Sequence, residues 1–128
     1  MIILDENIDR IRRNQLIRWK IHVRQIGLEV GYAGMKDFDD VIPLLHSLRA
    51  PTFLTRDRDF YSADLCHLGY CLAYFDVPLK VTAVWMRRFL RHRLFRTRAQ
   101  RLGKVVCAQE SGLSYWQLGV QIPQKATW

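Results

Sequence analysis

Short apolar segments of strand length alternate along the chain with longer segments of helical periodicity, and this alternation restricts the fold more than any other feature. The apolar segments are residues 2–4, 28–32, 52–55 and 71–75. Because their hydrophobicity is nearly continuous, they are predicted to be strands covered on both faces. The helical patterns between them are residues 8–26, 39–49 and 57–68. Strand–helix–strand units of this length favour parallel strands joined by right-handed crossovers.

The longest helical pattern covers residues 8–26. Its apolar residues recur with the period of an α-helix and end in Trp19, Val23 and Ile26, while the basic residues lie on the opposite side. Gly27 follows at the position of a helix C-cap. We therefore predict one long amphipathic helix between the first two strands.

The C-terminal part of the chain predicts a different arrangement. Residues 80–100 indicate a fourth helix, and residues 104–109 and 113–118 indicate a hairpin that closes one edge of the sheet. The predicted fold class is therefore α/β. A single domain, residues 1–128, forms a three-layer α/β/α sandwich with a mainly parallel central sheet and a C-terminal edge hairpin.

Length and cysteine content restrict the class of protein. The 128 residues, 49% of them hydrophobic, suffice for one domain with a substantial core. The three cysteines show no paired pattern, which argues against a secreted disulfide scaffold and favours a reducing cytoplasm. Their spacing does not match a structural zinc site. No apolar run approaches the ~20 residues that cross a bilayer, so the sequence predicts a cytoplasmic protein without a membrane segment.

Positive charge is concentrated in one part of the chain. The net charge is +8, and residues 77–109 contain nine lysines and arginines but no acid. A charge distribution of this kind suits a polyanionic partner such as RNA, whereas a solvated helix face is the common alternative. The density of six arginines within residues 87–98 favours the functional interpretation. Trp85, Phe89 and Phe95 lie among these arginines and would either stack on unpaired bases or pack in the core. Core packing is favoured for Trp85.

Acidic residues follow or precede the predicted strands at positions that meet at one edge of the sheet. In open parallel sheets ligands bind at the carboxyl ends of the strands. Several carboxylates in one place repel one another unless a hard cation such as Mg²⁺ or Mn²⁺ binds between them. Each acid taken singly is more simply a helix N-cap, whereas the set of acids at one edge favours a metal site. The acids concerned are Asp5, Glu6, Asp39, Asp40, Asp57, Asp59 and Asp76.

Three acid-containing segments stand in a characteristic order within residues 2–78. They are Leu4-Asp5-Glu6-Asn7, then Asp39 followed by Ile42 and Leu45, then Leu54-Thr55-Arg56-Asp57-Arg58-Asp59-Phe60. In order and spacing they resemble the PIN-like nucleases, most closely the short, often toxin-type subfamily that opens with Leu-Asp-Glu-Asn. The resemblance implies a parallel α/β/α sandwich and hydrolysis of RNA with Mg²⁺ or Mn²⁺. It also implies that a cognate antitoxin restrains the protein.

The resemblance assigns roles by position. Asp5, Asp39 and Asp57 match the metal-binding acids of the family, and Asp59 stands beside them as a fourth catalytic acid or as a cap. A further acid, usually Glu on a helical insertion, is missing from this chain. Asp37 or Glu6 would replace it, or the site would hold a single metal ion.

The resemblance also predicts polar and basic groups around the acids. Glu6, Asn7 and Thr55 would orient the ligands or a water molecule. Arg56 and Arg58 would either contact the scissile phosphate or pair with the neighbouring aspartates. The arginine-rich region would hold the RNA backbone through Arg87, Arg91 and Arg98.

Other functions are compatible with parts of the same pattern. The missing acid also fits a PIN-like protein that binds nucleic acid or a partner without catalysis. A phosphoacceptor receiver domain would need a lysine at the end of its last parallel strand, whereas Lys80 falls inside the predicted fourth helix. Trp116, Trp128 and the late hairpin would form a homodimer or antitoxin face, or else fold inward.

Overall fold

One seven-stranded sheet runs through the computed structural model, which describes residues 1–128. In chain order the strands are β1 (Ile2–Leu4), β2 (Val23–Gln25), β3 (Thr52–Thr55), β4 (Cys71–Asp76), β5 (Lys104–Gln109), β6 (Gly112–Gln117) and β7 (Gln124–Ala126). Across the sheet their order is β2-β1-β3-β4-β5-β6-β7. The first five strands are parallel, and β6 and β7 are added antiparallel. The prediction of a mainly parallel sheet with a C-terminal hairpin is confirmed.

Apolar side chains cover both faces of the sheet. Successive residues of a strand point to opposite faces, so Leu4 and Ile3 belong to two different buried clusters. We call the side of Leu4 the first face and the side of Ile3 the second face. The first face is covered by α1 (Arg10–Arg18) and α3 (Thr82–Arg91), and the second by α2 (Ile42–Ser47). The three-layer α/β/α architecture is therefore confirmed.

The long helix predicted over residues 8–26 is wrong in its second half. Helix α1 ends at Arg18, and Lys20 adopts a positive φ of 66° that reverses the chain. The chain then forms β2 beside β1. Val23 packs against the core from a strand as it would from a helix, so the apolar spacing alone could not exclude the helix. The predicted strand 28–32 is replaced by a single bridge between Ile26 and Val30.

The helix predicted over residues 57–68 consists instead of two short 3₁₀ turns, Arg58–Phe60 and Ala63–Leu65. Each turn begins with a side-chain cap, because Asp57 accepts a hydrogen bond from the backbone of Asp59, and Ser62 accepts one from Asp64. Such local bonds compete with the continuous bonding of an α-helix. The second cap starts a new turn, so the segment never becomes one helix.

The predicted fourth helix, residues 80–100, is divided. Helix α3 ends at Arg91, and α4 (Arg98–Arg101) starts with a capping box between Thr97 and Gln100. The predicted helix 39–49 begins earlier, as a π-helical turn over Asp37–Val41, before α2. Strand β7 lies at the edge of the sheet and had no signal in the sequence.

All three cysteine thiols are unpaired. Burial raises the pKa of Cys71 to about 12 and the pKa of Cys107 to about 11, so both behave as small apolar side chains. None of the helices has the length and the apolar character that a bilayer crossing requires.

Candidate metal centre

The order of the strands reverses at β1, and this places a crevice at the carboxyl end of the sheet. Strand β2 lies on one side of β1, and β3 lies on the other. In open α/β sheets ligands bind outside the carboxyl ends of the strands at such a reversal. Asp5 directly follows β1 and Thr55 ends β3. Both residues therefore lie at the crevice.

Asp5 is held in a fixed orientation. Only 7% of its surface is exposed, and its backbone N–H donates to the carbonyl of Leu54 at 3.0 Å, which continues the strand pairing. Its Oδ2 accepts a bond of 2.6 Å from the hydroxyl of Thr55. Burial raises the pKa of Asp5, although the bonds from Thr55 and from the backbone of Glu6 and Asn7 oppose this shift.

Three further carboxylates meet next to Asp5. Asp37, Asp57 and Asp59 each place one oxygen within 4.8 Å of the others. A chain of short bonds connects them to β3, because the backbone N–H of Asp57 donates to Thr55 Oγ1 at 2.9 Å and the backbone N–H of Asp59 donates to Asp57 Oδ1 at 2.9 Å. We call Asp5, Asp37, Asp57 and Asp59 the acid cluster.

The four acids act on one another electrostatically. Burial, followed by the hydrogen bond and the charge of Asp57 and the charges of Asp5 and Asp59, raises the pKa of Asp37 to about 6. The raised value reflects first the burial of Asp37 and then the cost of bringing these negative charges together. Carboxylate oxygens are the donors that Mg²⁺ and Mn²⁺ prefer, so the residues fit a hard divalent cation.

We expect the metal-free protein to lose stability as the pH rises from about 4 to about 6. The pKa of Asp37 is near 3.8 when unfolded and about 6 when folded. The folded state therefore binds more protons in this range, and the free energy of unfolding decreases as they dissociate. Asp37→Asn should flatten this part of the curve and leave the smaller contribution of Asp5. Unfolding temperatures measured in EDTA across this range test it, and parallel curves for both proteins would contradict it.

Asp39 lies outside the acid cluster. It is exposed in the π-helical turn over Asp37–Val41. Asp37, two residues earlier, is the aspartate of this turn whose carboxylate lies beside Asp57 and Asp59. Asp40 is engaged locally, since its Oδ2 accepts a bond of 2.8 Å from the backbone of Lys36. Three aspartates within four residues offered no way to tell from sequence which one faces the crevice.

The other predicted polar groups have separate partners. Glu6 accepts two bonds, of 2.8 and 3.1 Å, from the backbone N–H of Gly34, and so ties the following loop to the end of β1. Asn7 is exposed. Thr55 is fully buried and joins Asp5 to Asp57, which is the position expected of a residue that orients ligands.

The predicted basic residues fall into three places. Arg56 donates to the carbonyl of Val77 at 3.1 Å. Arg58 is exposed, and neither Arg56 nor Arg58 forms an ion pair with an aspartate, since the two ion pairs of the chain are elsewhere. Arg87 and Arg91 lie on α3, over the first face.

Arg98 lies at the far end of the sheet from the acid cluster. Arg98 begins α4, and Arg101 at the end of this short helix donates to the hydroxyl of Thr52 at 2.8 Å. Thr52 begins β3, and its backbone N–H donates to the carbonyl of Met1 at 2.8 Å. Met1 precedes β1 and Asp5 follows it. Arg98 is therefore separated from the acids by the length of this strand.

Gln25 supports the site and was not indicated by the sequence. Its side chain is 4% exposed, and Nε2 donates to the carbonyls of Asp5 at 3.0 Å, Glu6 at 3.3 Å and Ile8 at 2.7 Å. These bonds fix the turn that carries Asp5. Gln25 falls inside the helix predicted over residues 8–26, where it would face solvent, so only the recognition of β2 could have identified it.

Thr55→Val should destabilise the metal-free protein by about 1–3 kcal/mol, because a buried carboxylate and a backbone N–H both lose their partner while the volume is nearly unchanged. Thr55→Ser keeps the hydroxyl and is the matched control. Urea denaturation in EDTA measures the difference. An equal loss in both variants would mean that the methyl group, rather than the hydroxyl, holds the site.

Comparison with known proteins adds nothing to this geometry. No protein-family model matches the sequence, and no curated protein and no solved structure is significantly similar to it.

Proposed function

We propose that this protein is a Mg²⁺- or Mn²⁺-dependent endoribonuclease of the PIN-like type, acting as the toxin of a toxin–antitoxin pair. The observation that carries the proposal is the meeting of Asp37, Asp57 and Asp59 beside the buried Asp5 at the strand reversal. The resemblance of residues 2–78 to PIN-like nucleases supplies the reaction class.

The acid cluster would hold the metal ion. Asp5 and Asp57 take the roles that the resemblance gives them, and Asp37 would take the role assigned to Asp39 or that of the missing acid. When bound, the ion would lower the pKa of a coordinated water molecule and polarise the phosphoryl oxygen.

The remaining groups of the chain would position the acids and the substrate. Thr55 keeps the Asp5 carboxylate in one orientation and links it to Asp57. Arg58 is exposed and free of ion pairs, so its guanidinium is available to the scissile phosphate. Arg56 already donates to the backbone carbonyl of Val77 and would make a second contact to the same phosphate beside Arg58.

RNA is the proposed substrate because the chain carries a net charge of +8. Arg87, Arg91 and Arg98 would contact the backbone away from the acids. A reducing cytoplasm suits the unpaired thiols. An antitoxin or a second copy would pack against the exposed apolar residues Leu118, Val120 and Ile122 before β7.

The test is cleavage of a single-stranded RNA pool with Mg²⁺, Mn²⁺ or EDTA, together with the unfolding temperature in the same buffers. We expect cleavage and a higher unfolding temperature with Mn²⁺, and neither effect in EDTA. RNA binding without cleavage in Mn²⁺ would favour the non-catalytic alternative. Cleavage that continues in EDTA would contradict the metal-dependent mechanism.

A further inference from the structure

A groove lined by arginines lies between the end of α3 and the C-terminal residues. It is a cavity of about 430 Å³ to which Arg87, Arg88, Arg91, Arg93, His92 and Trp128 contribute. The C-terminal segment is fastened beside it, because His92 Nε2 lies 2.6 Å from the carbonyl of Thr127 and the indole of Trp128 donates to the carbonyl of Gln109. We call this cavity the arginine groove.

The arginines of the groove form no ion pair within the chain. No aspartate or glutamate lines it, and residues 77–109 contain none. The two ion pairs of the chain are formed by Arg12 and Arg13 on α1. Four guanidinium groups in one cavity repel one another, so the groove is electrostatically suited to an anion with several charges.

Tryptophan rings hold two of these arginines in place. The guanidinium of Arg87 lies 3.8 Å from the ring centre of Trp19. That of Arg88 lies 4.5 Å from the ring centre of Trp85 and 5.3 Å from that of Trp128. Stacking occupies the flat face of a guanidinium and leaves its N–H edge free, which is the edge that binds phosphate. The loss of side-chain freedom on binding is therefore smaller than for an unsupported arginine.

The arginine groove is separate from the acid cluster. Trp85 and Trp128 pack against the buried cluster of the first face. The residues that line the groove include none of the four acids of the acid cluster. A ligand in the groove therefore has its own contacts, which do not depend on a metal ion at the acids.

We propose that the arginine groove binds the phosphate backbone of single-stranded RNA and anchors the strand independently of the acid cluster. The choice of RNA rests on the proposed function, whereas the binding itself does not require metal or cleavage. Phosphate contacts of this kind do not read sequence, and they weaken steeply with salt.

Binding of fluorescent oligouridine in EDTA tests the proposal. With a slope of about −0.7 per phosphate and four contacts, affinity should fall about 50-fold between about 50 and about 200 mM salt. The double variant Arg91→Gln/Arg93→Gln should lower the slope by about 1.4 and weaken binding about 25-fold at about 0.1 M salt. Arg88→Lys keeps the charge but loses the stacked plane, so it should keep the slope and bind about two- to fivefold more weakly.

The matched control is Arg24→Gln/Arg49→Gln, which removes the same charge from the edge strand β2 and from the segment after α2. It should bind nearly as well as the wild type. Equal losses in the two double variants would overturn the groove as a site and leave only a general effect of charge. Binding of polyglutamate as tight as oligouridine would overturn RNA as its ligand. EDTA removes the divalent ion that the proposed cleavage requires. These binding results can therefore be interpreted whether or not the protein cleaves RNA.

Discussion

Asp57→Asn should lower the rate of metal-dependent RNA cleavage by roughly 10³-fold or more. Asp57 is the central member of the acid cluster, since it lies close to Asp37 and Asp59 and is joined through Thr55 to Asp5. Metal-ion catalysis supplies several kcal/mol of transition-state stabilisation, and each 1.36 kcal/mol corresponds to about tenfold in rate. Asparagine keeps the oxygen that caps the following turn but removes the negative charge.

The matched control is Asp64→Asn. Asp64 is exposed in the second 3₁₀ turn, and its carboxylate lies outside the acid cluster. It should cleave like the wild type. RNA binding in EDTA should be unchanged or tighter in Asp57→Asn, because a negative charge is lost. Full activity of Asp57→Asn in Mn²⁺ would place the reaction elsewhere in the molecule.

Capping and metal binding were alternative interpretations of Asp57, and the geometry makes them compatible. Its Oδ1 accepts the backbone N–H of Asp59. A carboxylate has two oxygens and several lone pairs, so one bond to a cap leaves acceptor capacity for a cation. The cap also fixes the direction of the side chain. The local bond that caps the turn after Asp57 therefore helps to present the carboxylate.

The fold was predictable where the pattern depends on apolar side chains at both faces of a strand. Strand β3 has the predicted bounds, Thr52–Thr55. A run of four residues that is buried on both faces is too short for a buried helix, so only a strand fits it. Strand β2 was hidden, since Val23 and Ile26 satisfy both a helical and an extended spacing and Lys20 gives no sign of the positive φ it adopts. The spacing of apolar residues alone therefore does not show where the chain changes direction.

The candidate site was predictable where a strand end fixes the position of an acid. Asp5 and Asp57 follow β1 and β3, so the sheet register alone brings them together. Asp37 is the first residue of a π-helical turn, whose extra residue per turn changes which side chain faces the crevice. That choice depends on how Phe38 and Val41 pack, and such packing is decided by residues far away in the sequence.

Phe60 connects the two segments that carry the acids. It is fully buried, with its ring centre 5.0 Å from that of Phe53 on β3 and 5.8 Å from that of Phe38. Phe38 directly follows Asp37, and Phe60 directly follows Asp59. The aromatic contact therefore packs the segment that carries Asp37 against the segment that carries Asp59.

Phe60→Ala should destabilise the protein by about 3–5 kcal/mol, since a buried aromatic side chain is removed and a cavity remains. That loss is a large part of the 5–15 kcal/mol typical of a domain. Phe60→Leu refills most of the cavity and should lose clearly less. Urea denaturation measures both variants.

Phe38→Ala separates the effect on the site from the effect on stability. The side chain of Phe38 is 50% exposed, so its removal should change the free energy of unfolding far less than Phe60→Ala does. The segment carrying Asp37 would lose its contact with Phe60, and we expect Mn²⁺ affinity to fall about 10-fold or more, as when a group that supports a ligand is removed. Calorimetric titration with Mn²⁺ measures this. Unchanged affinity in a stable Phe38→Ala protein would show that Asp37 needs no support from the aromatic pair to reach the cluster.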